Sequence, residues 1–162
     1  MDITERVRNF LYVMMQSNSA REDGTLLEAL NEDLEWIWGL IELFRYEAIE
    51  YPGTVDASDS RVGEFRQFLR GEIETEFERA WLLTDIIIKN GARPTRETRQ
   101  VTKPGSFSEM LKLDIELTEQ QRDRYREQAR MAAECGKSEL EEQLLYFQNT
   151  ADNRLEELRA LE

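Results

Sequence analysis

The chain has 162 residues, with 21 Lys and Arg against 34 Asp and Glu, and it has no histidine. A formal net charge of −13 speaks against nucleic acid and against anionic membrane surfaces, which both need clustered bases. The lack of imidazole removes histidine acid–base chemistry and every histidine metal ligand. The length suits one domain with a substantial core. Three Pro, eight Gly and many Leu, Glu and Arg favour an all-α protein. Cys135, the one cysteine, excludes an intrachain disulfide and is read as structural. Nothing resembles a leader or a membrane span, so a cytoplasmic location is expected.

Residues 2–16 predict a short amphipathic helix. Ile3, Val7, Phe10, Leu11, Met14 and Met15 share one side and offer either packing against the main domain or a contact for a protein partner. Residues 17–24 are polar and predict a break, so that residues 1–24 form an N-terminal helix with a linker and residues 25–162 the main domain. Thr25-Leu-Leu-Glu28 is a capping box that should start the first long helix. Its apolar stripe runs through Leu26, Leu30, Ile37, Leu40, Phe44 and Ala48, with Asp33 on the same line. Trp36 and Trp38 flank it, for packing or for an interface between chains. Tyr51-Pro52-Gly53 ends the helix.

The second helix, over residues 61–90, carries Phe65, Leu69, Ile73, Ala80, Leu83 and Ile87 on one stripe. Glu76 lies inside that stripe, where a carboxylate is costly unless paired. Arg79 stands one turn on. Gly91 caps the end. Residues 92–105 contain Pro94 and Pro104 and show no apolar period. At ~3.3 Å per residue they can span ~46 Å, the length of the preceding helix at ~1.5 Å per residue. The third helix should therefore start at the opposite end of a bundle. Ser106-Phe-Ser-Glu109 caps it, and Leu111, Asp114, Leu117 or Thr118, Gln121, Tyr125 and Ala132 point inward. Ser138 should cap the fourth helix, which carries Leu140, Leu144, Phe147, Gln148, Ala151, Leu155 and Leu158. The predicted fold is an all-α, ferritin-like four-helix bundle with a long crossover between the second and third helices, plus the short N-terminal helix.

Three stretches, LLEALNEDLEWI, ERAWLLTDIIIKNGARPT and SEMLKLDIEL, make the chain from about Leu26 onward resemble the bacterioferritin and ferritin-like family. That family holds two irons with four carboxylates and two histidines, including Glu-x-x-His on the second and fourth helices. Carried over by the resemblance, the first acid falls at Asp33. The second-helix pair falls at Glu76 and Arg79, the third-helix acid at Thr118, and the fourth-helix pair at Gln148 and Ala151. Two of the six ligand types survive. The haem-binding Met of the family falls at Phe77, so haem is not expected.

The resemblance thus implies a ferritin-like protein that has lost its di-iron ferroxidase centre. No catalytic residue and no cofactor is expected, and the role is structural or based on interaction. Arg79 is expected to replace the metal charge by pairing with Glu76, Asp33 or both, with Gln148 and Thr118 completing the hydrogen bonds. One rival keeps a divalent metal for iron handling through shifted carboxylates drawn from Glu72, Asp114, Glu116, Glu119 and Asp152. Another uses the bundle interior to bind a small molecule. A homodimer is the expected assembly.

Overall fold

The computed structural model describes residues 3–51 and 59–162, with side chains from residue 24 onward. Helix α1 spans Ile3–Arg45, α2 Ser60–Lys89, α3 Phe107–Glu134 and α4 Ser138–Ala160. The helices form a four-helix bundle with the crossover between α2 and α3. No helix among the described residues is long and apolar enough to cross a membrane.

The predicted break at residues 17–24 is absent: α1 is continuous through it. That segment is polar but holds no proline, and its one glycine, Gly24, costs a helix only about 1 kcal/mol. Thr25 therefore caps no new helix. The side chains of Ile3, Val7, Phe10, Leu11, Met14 and Met15, and with them the predicted partner contact, lie outside the described residues. So do Pro52 and Gly53.

The end of α1 widens into a π-helical turn at Tyr46–Glu50, closed by the Tyr51 N–H donating to the Tyr46 carbonyl at 2.7 Å. Tyr51 then leaves the helix with ψ 115°, as the residue before a proline must. Helix α2 ends at Gly91, whose φ of 80° is the left-handed conformation expected there. Ser106 caps α3 by accepting from the Glu109 N–H at 3.2 Å, and the Glu109 carboxylate returns to the Gly105 N–H at 2.8 Å. At α4 the cap position belongs to Lys137, with no side-chain cap bond, and Ser138 is already helical.

The crossover lies along α1. Thr95 N–H donates to Asn31 at 2.8 Å, and Arg99 N–H donates to the Glu35 carbonyl at 3.0 Å. The Arg99 guanidinium sits 4.7 Å from the Trp36 ring centre, so Trp36 packs under the crossover. Gly39 makes this approach possible, because a Cβ there would lie 2.5 Å from the Arg99 carbonyl oxygen. Gly39→Ala is expected to cost about 1–2 kcal/mol in urea unfolding, since overpacking against backbone outweighs the better helix propensity of alanine. A more stable variant would show that the crossover lifts without cost.

The predicted stripes face inward. They build two apolar halves, one around Leu30, Leu83 and Phe147, the other around Phe44, Phe65 and Leu158. Between them lies a band of buried charge.

Candidate functional site

Glu76 is fully buried in this band. Arg79, at i+3 on the same face of α2, donates from Nη1 to Glu76 Oε1 at 2.6 Å. Arg154 of α4 donates from Nη2 to the same oxygen at 2.5 Å. Gln121 of α3 donates from Nε2 to Glu76 Oε2 at 3.3 Å and to the Tyr125 hydroxyl at 3.0 Å, while its Oε1 accepts from Arg154 Nη1 at 3.2 Å. Arg154 also donates from Nε to Glu72, and Arg79 from Nη2 to Thr150. The Thr150 hydroxyl donates in turn to the Phe147 carbonyl at 2.9 Å.

The two guanidinium groups and the carboxylates of Glu72 and Glu76 sum to zero charge. Aromatic rings complete the shell. The Arg79 guanidinium lies 5.7 Å from the Tyr125 and Phe147 ring centres, and Arg154 lies 5.3 Å from Phe44 on α1. Burial alone would push the Glu76 carboxyl up. The charges of Arg79 and Arg154 outweigh it and hold the carboxyl below the usual range. Burial pulls the Arg154 guanidinium down, but Glu76 and Glu72 raise it further.

Of the residues singled out in sequence, Glu76 and Arg79 are brought together as expected. Asp33 is not with them. It accepts from Arg124 Nε at 2.8 Å, its other oxygen has no partner, and burial pushes its pKa to about 6 against the pull of Arg124. Thr118 is buried with its hydroxyl unpartnered, and Gln148 is only half-buried. Neither completes the cluster. Ala151 is buried one turn before Arg154.

The acids considered for a shifted site are scattered. Glu72 holds Arg154, Glu116 is exposed, Glu119 pairs with Arg159 at 2.5 Å, and Asp152 lies 3.8 Å from Arg122. Asp114 faces a residue the sequence did not flag, Glu47 in the π-helical turn. Both are buried, and no donor from elsewhere reaches their four oxygens. Burial, then the facing Asp114, push Glu47 up to about 11. Burial pushes Asp114 up to about 7, against the pull of the Glu47 hydrogen bond and the Arg154 charge. Burial and the nearness of the two carboxyls thus both favour a protonated form of the pair. Among the described residues no three or more Asp, Glu or Cys side chains gather as a metal would require.

Arg154 and Gln121 were also not singled out as site residues. A signal for Arg154 existed. Ala151-x-x-Arg154 repeats the spacing of Glu76-x-x-Arg79, so a shift of three places on the fourth helix sets both arginines at the histidine positions of the family pattern.

A four-helix bundle with one long crossover and a charged interior band is the architecture of the ferritin-like class. The Ferritin-like domain family matches residues 55–161, and the chain belongs to that family. Among solved structures it is similar to a protein described as ferritin like, diiron-carboxylate, from Bacillus anthracis str. Ames. That likeness has 27% identity and a TM-score of 0.79, covering 87% of this chain and 98% of that one. BfrA from M. tuberculosis shares the fold at 16% identity and a TM-score of 0.73, with 84% and 81% covered. No curated protein matches significantly.

Proposed function

We propose that this ferritin-like protein lacks a di-iron ferroxidase centre, serves a structural or interaction role with no catalysis, and works as a homodimer. One observation carries the reading: Arg79 and Arg154 occupy the middle of the bundle and hold Glu76 between them. A di-iron centre needs carboxylates free to give their lone pairs to hard cations. Here Glu76 and Glu72 already serve guanidinium groups, and the donors left beside them are the Gln121 amide and the Tyr125 phenol. A divalent cation a few ångströms from either arginine meets a repulsion of several kcal/mol. The donor set does not fit the pair of irons. The printed description of the Bacillus anthracis protein as diiron-carboxylate belongs to that protein; the family fold is kept here around a different interior.

The test is anaerobic iron titration of the purified full chain, followed by an oxygen-uptake assay. The expected result is no iron above background and no uptake. Binding of about two irons per chain with oxygen consumption would overturn the reading and reassign the carboxylates around Glu76 as ligands.

A further inference from the structure

We propose that the crossover, residues 92–105, is a docking strap for an acidic peptide segment of a partner protein. The proposal deepens the interaction role above by naming a surface and the chemistry of what it holds. In a chain of net charge −13, this stretch carries Arg93, Arg96, Arg99 and Lys103 against one acid, Glu97. All four cations are exposed, and none enters an ion pair among the described residues. Arg45, Arg61, Lys89 and Arg130 on the helices are instead each bound to a nearby acid.

Two of the strap cations are held by rings. The Arg99 guanidinium lies over Trp36, and Lys103 Nζ lies 4.7 Å from the Tyr46 ring centre. A stacked guanidinium has already given up part of its side-chain freedom, while its N–H edge stays open for a carboxylate. Arg124 also reaches Trp36, at 5.1 Å, but its charge is spent on Asp33. Arg99 has no such acid among the described residues.

The strap is pinned on its inner side. Thr95 and Arg99 donate their N–H groups to α1, and the Glu97 N–H closes on Thr95 Oγ1 at 3.1 Å. The exposed residues Arg96 and Gln100 keep backbone N–H groups with no acceptor among the described residues. A peptide laid along the strap thus meets backbone donors as well as cations, which is how extended segments are recognised. From Arg93 to Lys103 the strap reaches at most ~33 Å, at ~3.3 Å per residue, which suits an extended segment of about ten residues. The body beyond the strap is acidic, so a long polyanion such as nucleic acid is repelled where it overruns these four cations.

Fluorescence anisotropy with the full chain at low salt tests this. The probe is a fluorescein-labelled peptide of Glu-Ser-Gly repeats, set against a Gln-Ser-Gly peptide and a single-stranded oligo-thymidine. The wild type is expected to bind the acidic peptide and neither rival. Arg99→Gln should weaken binding about fivefold, the upper end for an exposed ion pair, because its fork is already held in place. Arg159→Gln removes the same charge from α4 and should leave binding within about twofold. If Arg99→Gln loses its helical circular dichroism, the Arg93→Gln, Arg96→Gln pair takes its place in the comparison. A wild type that does not bind the peptide overturns the proposal. So does equal weakening by Arg159→Gln, which would mark the attraction as general. Tighter binding of oligo-thymidine would give the strap to nucleic acid and overturn the peptide assignment. None of these results depends on iron: a failed strap leaves the metal-free interior standing, and iron uptake would leave the strap to be judged by the peptide.

Discussion

Arg154→Ala is expected to lose about 3–5 kcal/mol of unfolding free energy, because it takes the guanidinium away from Glu72 at the edge of the core and leaves buried Glu76 with Arg79 as its one cation. Arg79→Ala also destabilises strongly, but Glu76 keeps Arg154, so its cost falls at the lower end of that range. The two arginines share one oxygen of Glu76. Their losses are therefore coupled, and the double variant departs from the sum of the singles. Exchanging Glu72, Glu76, Arg79 and Arg154 together for apolar side chains of similar volume should recover most of the loss, since an apolar layer carries no desolvation cost. Urea unfolding of the set measures all of this. A loss under about 1 kcal/mol for either single arginine variant would mean that water solvates these charges, and the central cluster would not be the interior device described.

The second large effect is a stability that falls as the pH rises from mildly acidic to neutral. A carboxyl whose folded pKa is raised binds more protons in the folded than in the unfolded state between the two values, so stability drops with pH across that window. For Asp33 the window runs from 3.8 to about 6, and for Asp114 from 3.8 to about 7. Glu47, coupled to Asp114, is raised by burial and by that neighbour and acts in the same direction. Inside its window each such group contributes up to about 1.4 kcal/mol per pH unit, so Asp33 alone is expected to cost roughly 2 kcal/mol between pH 4 and 7, and the Glu47–Asp114 pair adds to the loss in the same direction. Glu76 acts in the opposite sense. Its pKa is lowered, and its contribution disappears only as the pH falls through its folded value, in acid. Maximum stability should thus lie near the ordinary carboxylate range rather than at neutrality. Thermal unfolding across pH checks the curve. The general repulsion of an acidic chain has the same sign, so Asp114→Asn and Glu47→Gln serve as the discriminating variants. If the pair is responsible, they flatten the slope above pH 5; an unchanged slope would assign it to net charge alone.

Much of this protein could be read locally. Apolar residues at helical spacing define which face of each helix is buried, and that face can be named without knowing what it meets. The Ser106 cap and the Gly91 stop are chain-local, and the reach of residues 92–105 follows from their number, so the crossover could be inferred. Glu76 and Arg79 could be paired in advance because i and i+3 are neighbours in any helix. The continuous α1 was misread because polarity over residues 17–24 reports contact with water, whereas ending a helix takes a proline or a lost hydrogen bond.

The partners that lie across helices belong to the tertiary structure. Whether Glu76 meets Thr118 or Gln121, and Gln148 or Arg154, depends on how far α3 and α4 slide along α2. A slide of one turn keeps the same apolar residues inside, so periodicity cannot resolve it. The same freedom hid the meeting of Glu47 with Asp114 and the departure of Asp33 to Arg124. Register between helices is decided by packing of the whole bundle and by the pairing of its buried charges, and only there does the chain choose which carboxylate each arginine neutralises.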